Sequence, residues 1–188
     1  MGRNKALLEL NGTPLIQHVY DRLDSLCDHT MLVTNSPELY RFLPCPKVPD
    51  HYIGEGSLAG IHAALQHAPT ELVFIAACDM PFLSEAVIRH LYACADGYDI
   101  VVPASNQGIE PLHALYRRSC LPVITGLLEQ GIKRIIELYD LLPTCRVPWH
   151  DIAALPGAER TFLNLNTPQE YNSLHQTPSN AVPPQENG

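Results

Sequence analysis

Residues 72 to 77 read Leu-Val-Phe-Ile-Ala-Ala without a polar break, and just beyond them the chain meets Asp79 and the rigid turn Met80-Pro81. An unbroken apolar run of this length, with turn residues behind it, suits a strand covered on both faces, as parallel strands in layered α/β proteins are. That run restricts the chain more than any other segment, because such a strand needs helices above and below it. The rest of the sequence supplies them. Leu15, Ile16, Val19, Leu23 and Leu26 keep a helical period behind Thr13-Pro14, with Thr13 read as N-cap and Pro14 as first helical residue. Further helices are expected over about 37–43, 57–67, 84–95, 120–129 and 133–138. Strands are expected at Thr30 to Asn35, Lys47-Val48, Asp99 to Ala104, Leu112 to Arg118, Thr144 to Val147 and Thr161 to Leu165, with a last helix opening at Pro168.

Alternating strands and helices indicate an α/β domain with a mostly parallel sheet. In such sheets ligands bind beyond the carboxyl ends of the strands. The residues at those ends are Asn35, Asp50, Asp79 and Asn166, and polar chemistry is expected there.

The length of 188 residues fits one domain. A net charge of −8 and a pI near 5.5, with no basic patch, weigh against nucleic acid and anionic membrane as partners. No apolar run approaches the ~18 residues of a spanning helix. Six cysteines occur without a C-x-x-C pair or a zinc-finger spacing. Most lie in apolar runs and read as small buried hydrophobes, so a reduced cytoplasm is the expected setting.

Asp79 could hold Mg²⁺, which takes one or two carboxylates together with substrate phosphates; it could equally be a turn or N-cap residue before Pro81. Lys5 could reach phosphate oxygens as a point charge, or be a solvated surface lysine. The glycines of GEGSLAG could bring backbone amides and a helix N-terminus close to an anion, and a structural turn explains them as well. Asn164 and Asn166 stand two apart in FLNLNTP, on one face of a strand, and Thr167-Pro168 reads as a helix cap. The nine histidines contain no H-E-x-x-H motif.

MGRNKALLELNGTPLIQHV, KVPDHY, GEGSLAGIHAAL, ACDMPF, EPLHALYRR, QGIKRI and FLNLNTPQEY follow one another along the chain. As a set, from Met1 to about Leu174, they resemble the molybdenum cofactor guanylyltransferases, the MobA-type enzymes of molybdopterin guanine dinucleotide synthesis. The resemblance implies a Rossmann-like three-layer nucleotidyltransferase fold over residues 1–175, with 176–188 as a disordered tail. It implies transfer of GMP from GTP to molybdopterin or its molybdenum-bearing form, with pyrophosphate released, Mg²⁺ as cofactor and molybdoenzyme-maturation proteins as partners downstream. Carried over by position, Lys5 would contact the GTP phosphates and Asp79 would bind Mg²⁺. Asp50 and Asn35 would help bind the nucleotide, while Asn164 and Asn166 would lie near the reacting groups of the second substrate. A CTP-using relative and a non-catalytic nucleotide- or pterin-binding adaptor are the alternatives.

One departure stands out. The family signature reads approximately LAGGxSxRMGxxK and follows a strand. Here Met1-Gly2 coincide with its internal Met-Gly, Lys5 keeps its place, and the strand, the double glycine and the arginine are missing. The sequence is therefore expected to be a truncated form of the family domain, with a gap in the sheet; a short form without transferase activity is the competing expectation.

Overall fold

A computed structural model describes residues 4–165 of the chain. The expectations for Asn166, for a helix from Pro168 and for the tail from Gln176 lie outside the described residues.

The chain enters through a 3₁₀ turn at Lys5–Leu7. It then makes a two-residue hairpin in which β1 (Glu9–Leu10) pairs antiparallel with β2 (Thr13–Pro14). Asn11 (φ 55) and Gly12 (φ 77) form the connection, both left-handed, as the tight turn of a two-residue hairpin demands. Thr13 therefore sits in the hairpin and not at the helix cap expected for it. Helix α1 (Leu15–Asp24) follows with Pro14 at its N-cap position.

Next, β3 (Leu32–Val33) and β4 (Lys47–Val48) pair in parallel to form a small sheet of their own. Helix α2 (Ser57–His67) buries Leu58, Ala59, Ile61 and Leu65 completely. The main sheet has five strands: β5 (Leu72–Ala76), β6 (Ile100–Ser105), β7 (Gly108–Ile109), β8 (His113–Arg117) and β9 (Thr144–Val147). Strand β8 lies between β5 and β6 and is antiparallel to both; β7 is antiparallel to β6, and only β9 runs parallel to β6. The sheet is thus mixed and not mostly parallel. The α/β nucleotidyltransferase architecture stands, but residues 105–113 turn the chain back as a hairpin extension where a crossover helix was implied.

Helices cover both faces of the main sheet. On one side α2 and α4 (Leu121–Glu129) pack with α5 (Leu138–Leu141) around Ile100, Val102, Ala114 and Tyr116. On the other, α3 (Glu85–Ala93), α6 (Trp149–Ile152) and α7 (Ala158–Thr161) pack on Val101, Leu115 and Val147. Ser84 caps α3 by accepting from the Val87 N–H at 3.2 Å. The strand expected at Thr161 to Leu165 is replaced by the end of α7 and irregular chain, so Asn164 lies on no strand face. Among the described residues no helix is long and apolar enough to cross a membrane.

Strand β5 has both faces packed, Val73 and Ile75 towards the α2/α4 cluster and Leu72 and Phe74 towards the other. Yet all five of its residues are only half-buried. The exposure comes through one edge. Strand β8 takes one side of β5, and no described strand takes the other.

Candidate functional site

Asp79 follows β5 in a turn where the Met80 N–H donates to the Ala77 carbonyl at 3.4 Å. Its own backbone carbonyl accepts from the Leu165 N–H at 2.9 Å, which fastens the segment carrying Asn164 to the end of β5. Leu165 is buried with Leu10 and Leu15, and Leu8 and Phe82 pack against them. The tie is therefore sealed from below by apolar side chains. Asn164 is exposed beside it.

Lys5 opens the 3₁₀ turn. Its position is set by Asn4, whose side-chain oxygen accepts from the Ala6 N–H at 3.2 Å and whose amide donates to the Tyr40 hydroxyl at 2.9 Å. Ala6 is buried with Ile16, Tyr40, Leu43 and Cys45, and Leu7 and Cys78 pack on that cluster. The turn is thus seated against the residue that precedes Asp79. Burial pushes the Cys78 thiol up, the Asp79 carboxylate pushes it further and the Lys5 ammonium pulls it partly back, leaving it at about 11. Cys78 is a protonated spacer at neutral pH, not a nucleophile. The Lys5 ammonium and the Asp79 carboxylate both act on it electrostatically.

Asn35 and Asp50 meet at the ends of β3 and β4. The Asn35 amide donates to the Asp50 carbonyl at 3.1 Å, and its oxygen accepts from the Asp50 N–H at 2.9 Å. Asn35 therefore clamps the backbone of Asp50. One Asp50 carboxylate oxygen accepts from the Tyr52 N–H at 2.9 Å, which fixes the side chain in a turn. Tyr52 in turn meets the ring of buried His62 edge-on, 4.9 Å between centroids.

Between Asp50 and α2, Gly54 (φ 81) and Gly56 (φ 76) take left-handed conformations. No side chain caps the start of α2, where Ser57 is exposed and Leu58 and Ala59 are buried. Glu55 of this loop pairs with Lys133 at 2.8 Å, joining GEGS to the segment Gly131 to Arg134. That pair, like the Leu165 tie, was not expected from the sequence. QGIKRI was noticed there without a role, and only the opposite charges of Glu55 and Lys133 could have suggested one.

The structure therefore ties the Asn164 segment to Asp79, seats the turn that Lys5 opens against Cys78, and separately joins Asn35 to Asp50. Asn166 lies outside the described residues. Among the described residues, no group of three or more His, Cys, Asp or Glu could hold a metal ion by itself. A cation at Asp79 would have one carboxylate here and would need phosphate oxygens to complete its shell, the arrangement Mg²⁺ favours.

Behind this region His113 is fully buried between Phe74 and Phe162, with centroids at 5.1 and 4.8 Å. Its Nε2 lies 3.5 Å from the Thr161 hydroxyl oxygen, which also accepts from the Ser84 N–H at 2.9 Å. Burial pulls the imidazole down from 6.5 to about 3, so it is neutral when folded. The unfolded chain then binds the extra proton first, and stability falls as pH drops below the unfolded value. Between pH 7.5 and pH 5 the wild type should lose about 2 kcal/mol more than a His113→Leu variant, as read by urea unfolding at each pH. Equal pH dependence in both chains would remove His113 as the source.

Over residues 1–144 the sequence matches the family described as the MobA-like NTP transferase domain. It is 39% identical over 170 residues to a molybdenum cofactor guanylyltransferase of Desulfosudis oleivorans, covering 90% of this chain and 84% of that one. It is 36% identical over 183 residues to the protein of the same name from Vibrio cholerae, covering 93% and 85%. Among solved structures it resembles molybdopterin-guanine dinucleotide biosynthesis protein A from Archaeoglobus fulgidus, with a TM-score of 0.79, 29% identity and coverage of 92% and 89%. A 2-C-methyl-D-erythritol 4-phosphate cytidylyltransferase from Thermus thermophilus shares the fold at a TM-score of 0.67 and 14% identity, covering 90% and 91%.

Proposed function

The chain belongs to the MobA-like NTP transferase family and is a nucleotidyltransferase, and on that premise we propose that it transfers GMP from GTP to molybdopterin or its molybdenum-bearing form. The observation that carries this reading is the turn opened by Lys5, seated against Cys78, the residue that joins the end of β5 to Asp79. The names of the relatives in Desulfosudis oleivorans and Vibrio cholerae support the choice of substrates.

The reaction asks little of protein side chains. The terminal phosphate of the pterin attacks the α-phosphorus of GTP; an oxygen–phosphorus bond forms, the bond to the β-phosphate oxygen breaks, and pyrophosphate leaves with the electron pair. A phosphate monoester with a second pKa of about 6 is largely a dianion at neutral pH, so no general base is needed. Positioning and charge neutralisation remain for the protein to supply. Lys5 faces the phosphates and offsets charge growing on the leaving group. The exposed, uncapped start of α2 at Gly56-Ser57 offers backbone N–H donors to nucleotide oxygens. A divalent cation, which we take to be Mg²⁺, would be held by Asp79 and would supply Lewis-acid neutralisation of the triphosphate. Asp50 is assigned to nucleotide binding, with Asn35 as the residue that positions it. Asn164, and Asn166 beyond it, are assigned to the pterin side. The reduced cytoplasm is the proposed setting, in keeping with six cysteines that are all unpaired.

Asn35→Ala should raise the KM for GTP about tenfold and change kcat little, because it frees two hydrogen bonds that hold Asp50 without touching the transferred phosphate. An unchanged KM would show that the clamp does not serve the nucleotide. The reading as a whole is tested by pyrophosphate release from GTP, Mg²⁺ and molybdopterin, with CTP in a parallel reaction. Release with GTP and formation of the pterin dinucleotide would support it. Release with CTP alone would shift the substrate, and nucleotide binding without release would favour a binding adaptor.

A further inference from the structure

Arg160 stands in the last turn of α7, and its guanidinium carbon lies 4.0 Å from the centre of the Phe82 ring. A ring at that distance attracts the charge without accepting a conventional hydrogen bond, so the N–H fork stays free to donate elsewhere. The side chain is exposed, and among the described residues no carboxylate pairs with it. Phe82 belongs to the turn that follows Asp79 and packs on Leu10, Leu15 and Leu165. The backbone around Arg160 is fastened to that same turn from both sides. Ser84 donates from its hydroxyl to the Pro156 carbonyl at 2.6 Å and from its N–H to the Thr161 hydroxyl oxygen at 2.9 Å. Further along, the Leu165 N–H donates to the Asp79 carbonyl at 2.9 Å. The guanidinium is therefore held beside the turn that Asp79 opens, on the segment that also carries Asn164.

Resting on the transferase reading above, we propose that Arg160 binds the phosphate monoester of the acceptor substrate, the group that attacks GTP. Charge selects this ligand. At neutral pH the monoester is largely a dianion, and it must approach a triphosphate that is itself strongly anionic. Lys5 and the cation proposed for Asp79 are assigned to the triphosphate, while Asn164 and Asn166, assigned to the pterin side, are neutral. Without Arg160 the attacking phosphate would meet no cation of its own among these residues. Arginine suits the task in two further ways. Its planar fork donates to two phosphate oxygens at once and leaves the third free to attack. Its pKa above about 12 keeps the proton on the guanidinium, so the nucleophile is neutralised electrostatically and never protonated by its partner. The Phe82 ring restricts the long side chain before the ligand arrives, which lowers the ordering cost of binding.

The test is pyrophosphate release with each substrate varied in turn. Arg160→Ala should raise the KM for molybdopterin about 30-fold and leave the KM for GTP within about twofold, with a smaller effect on kcat. Arg160→Lys, a point charge without the fork, should recover only part of the loss. Phe82→Leu keeps an apolar side chain against Leu165 and should raise the KM for molybdopterin about threefold, yet add nothing in the Arg160→Ala background. An unchanged KM for molybdopterin in Arg160→Ala would overturn the proposal. A rise confined to the KM for GTP would also overturn it, by assigning the guanidinium to the triphosphate. A second measurement does not need turnover: the Arg160 Nε–H resonance, identified by its loss in Arg160→Ala, is followed while molybdopterin or its dephosphorylated form is added. It should move with the phosphorylated pterin alone; no movement, or equal movement with both, would overturn the assignment. A wild type that releases no pyrophosphate would sink the transferase reading, and the resonance would still decide for or against Arg160.

Discussion

Asp79→Ala should lower turnover with GTP, Mg²⁺ and molybdopterin by about 100-fold or more, the scale on which an electrostatic stabiliser of the transition state is lost. The fold should tolerate the change, because the bond that fastens Leu165 uses the Asp79 carbonyl and not its carboxylate. Asp79→Asn keeps the shape and removes the charge, so it should behave like the alanine variant if charge is what matters. A shared role with Mg²⁺ has a further signature: raising the metal concentration should recover part of the rate in either variant. Steady-state pyrophosphate release, beside a urea unfolding curve, checks both. A near-normal rate in Asp79→Ala would take the residue out of the mechanism.

Lys5→Ala should also lower turnover by about 100-fold, and here the loss should fall on kcat more than on the KM for GTP. The difference follows from its assigned task. A charge that offsets the departing pyrophosphate counts most when the bond is breaking, whereas a charge that merely held GTP would act equally before and during reaction. Lys5 is exposed and its turn is held by Asn4 and Ala6, so stability should change by no more than about 0.5 kcal/mol. Lys5→Arg should recover only part of the rate, since a planar fork does not reproduce a point charge. Rapid-quench kinetics on GTP and molybdopterin would separate chemistry from binding, and an unaltered chemical step in Lys5→Ala would sink the assignment.

What could be read from residues alone followed the range of the interactions involved. The strand at Leu72 to Ala76 and the exit at Asp79 are legible because a continuous apolar run and a turn are local features. The direction of β8 is not, because His113 to Arg117 would read alike whether its neighbours ran with it or against it. Asn11-Gly12 is a two-residue hairpin signal that the sequence reading passed over, because Thr13-Pro14 satisfies the rules for a helix start. Asn35 was picked out for standing after a strand. That its amide closes on the backbone of Asp50, 15 residues on, depends on the pairing of β3 with β4, which local pattern does not specify. Burial of β5 was overestimated for a related reason: composition describes the faces of a strand, and its exposure enters at the edge. The resemblance to guanylyltransferases carried the substrate classes; composition alone never approached them.

The Leu165-to-Asp79 hydrogen bond also has a thermodynamic side. It makes the proposed nucleotide end and the proposed pterin end of the site parts of one mechanical unit, since whatever steadies Asp79 steadies the segment bearing Asn164. Two ligands that each order the same unit bind cooperatively, because the second meets a segment whose disorder the first has already removed. Linkage makes the benefit reciprocal: if GTP tightens pterin binding by some factor, the pterin must tighten GTP by that same factor, within the ~5–150-fold span common for coupled sites. The enzyme would then hold its two substrates most firmly as a pair, and release would quicken once either had been consumed.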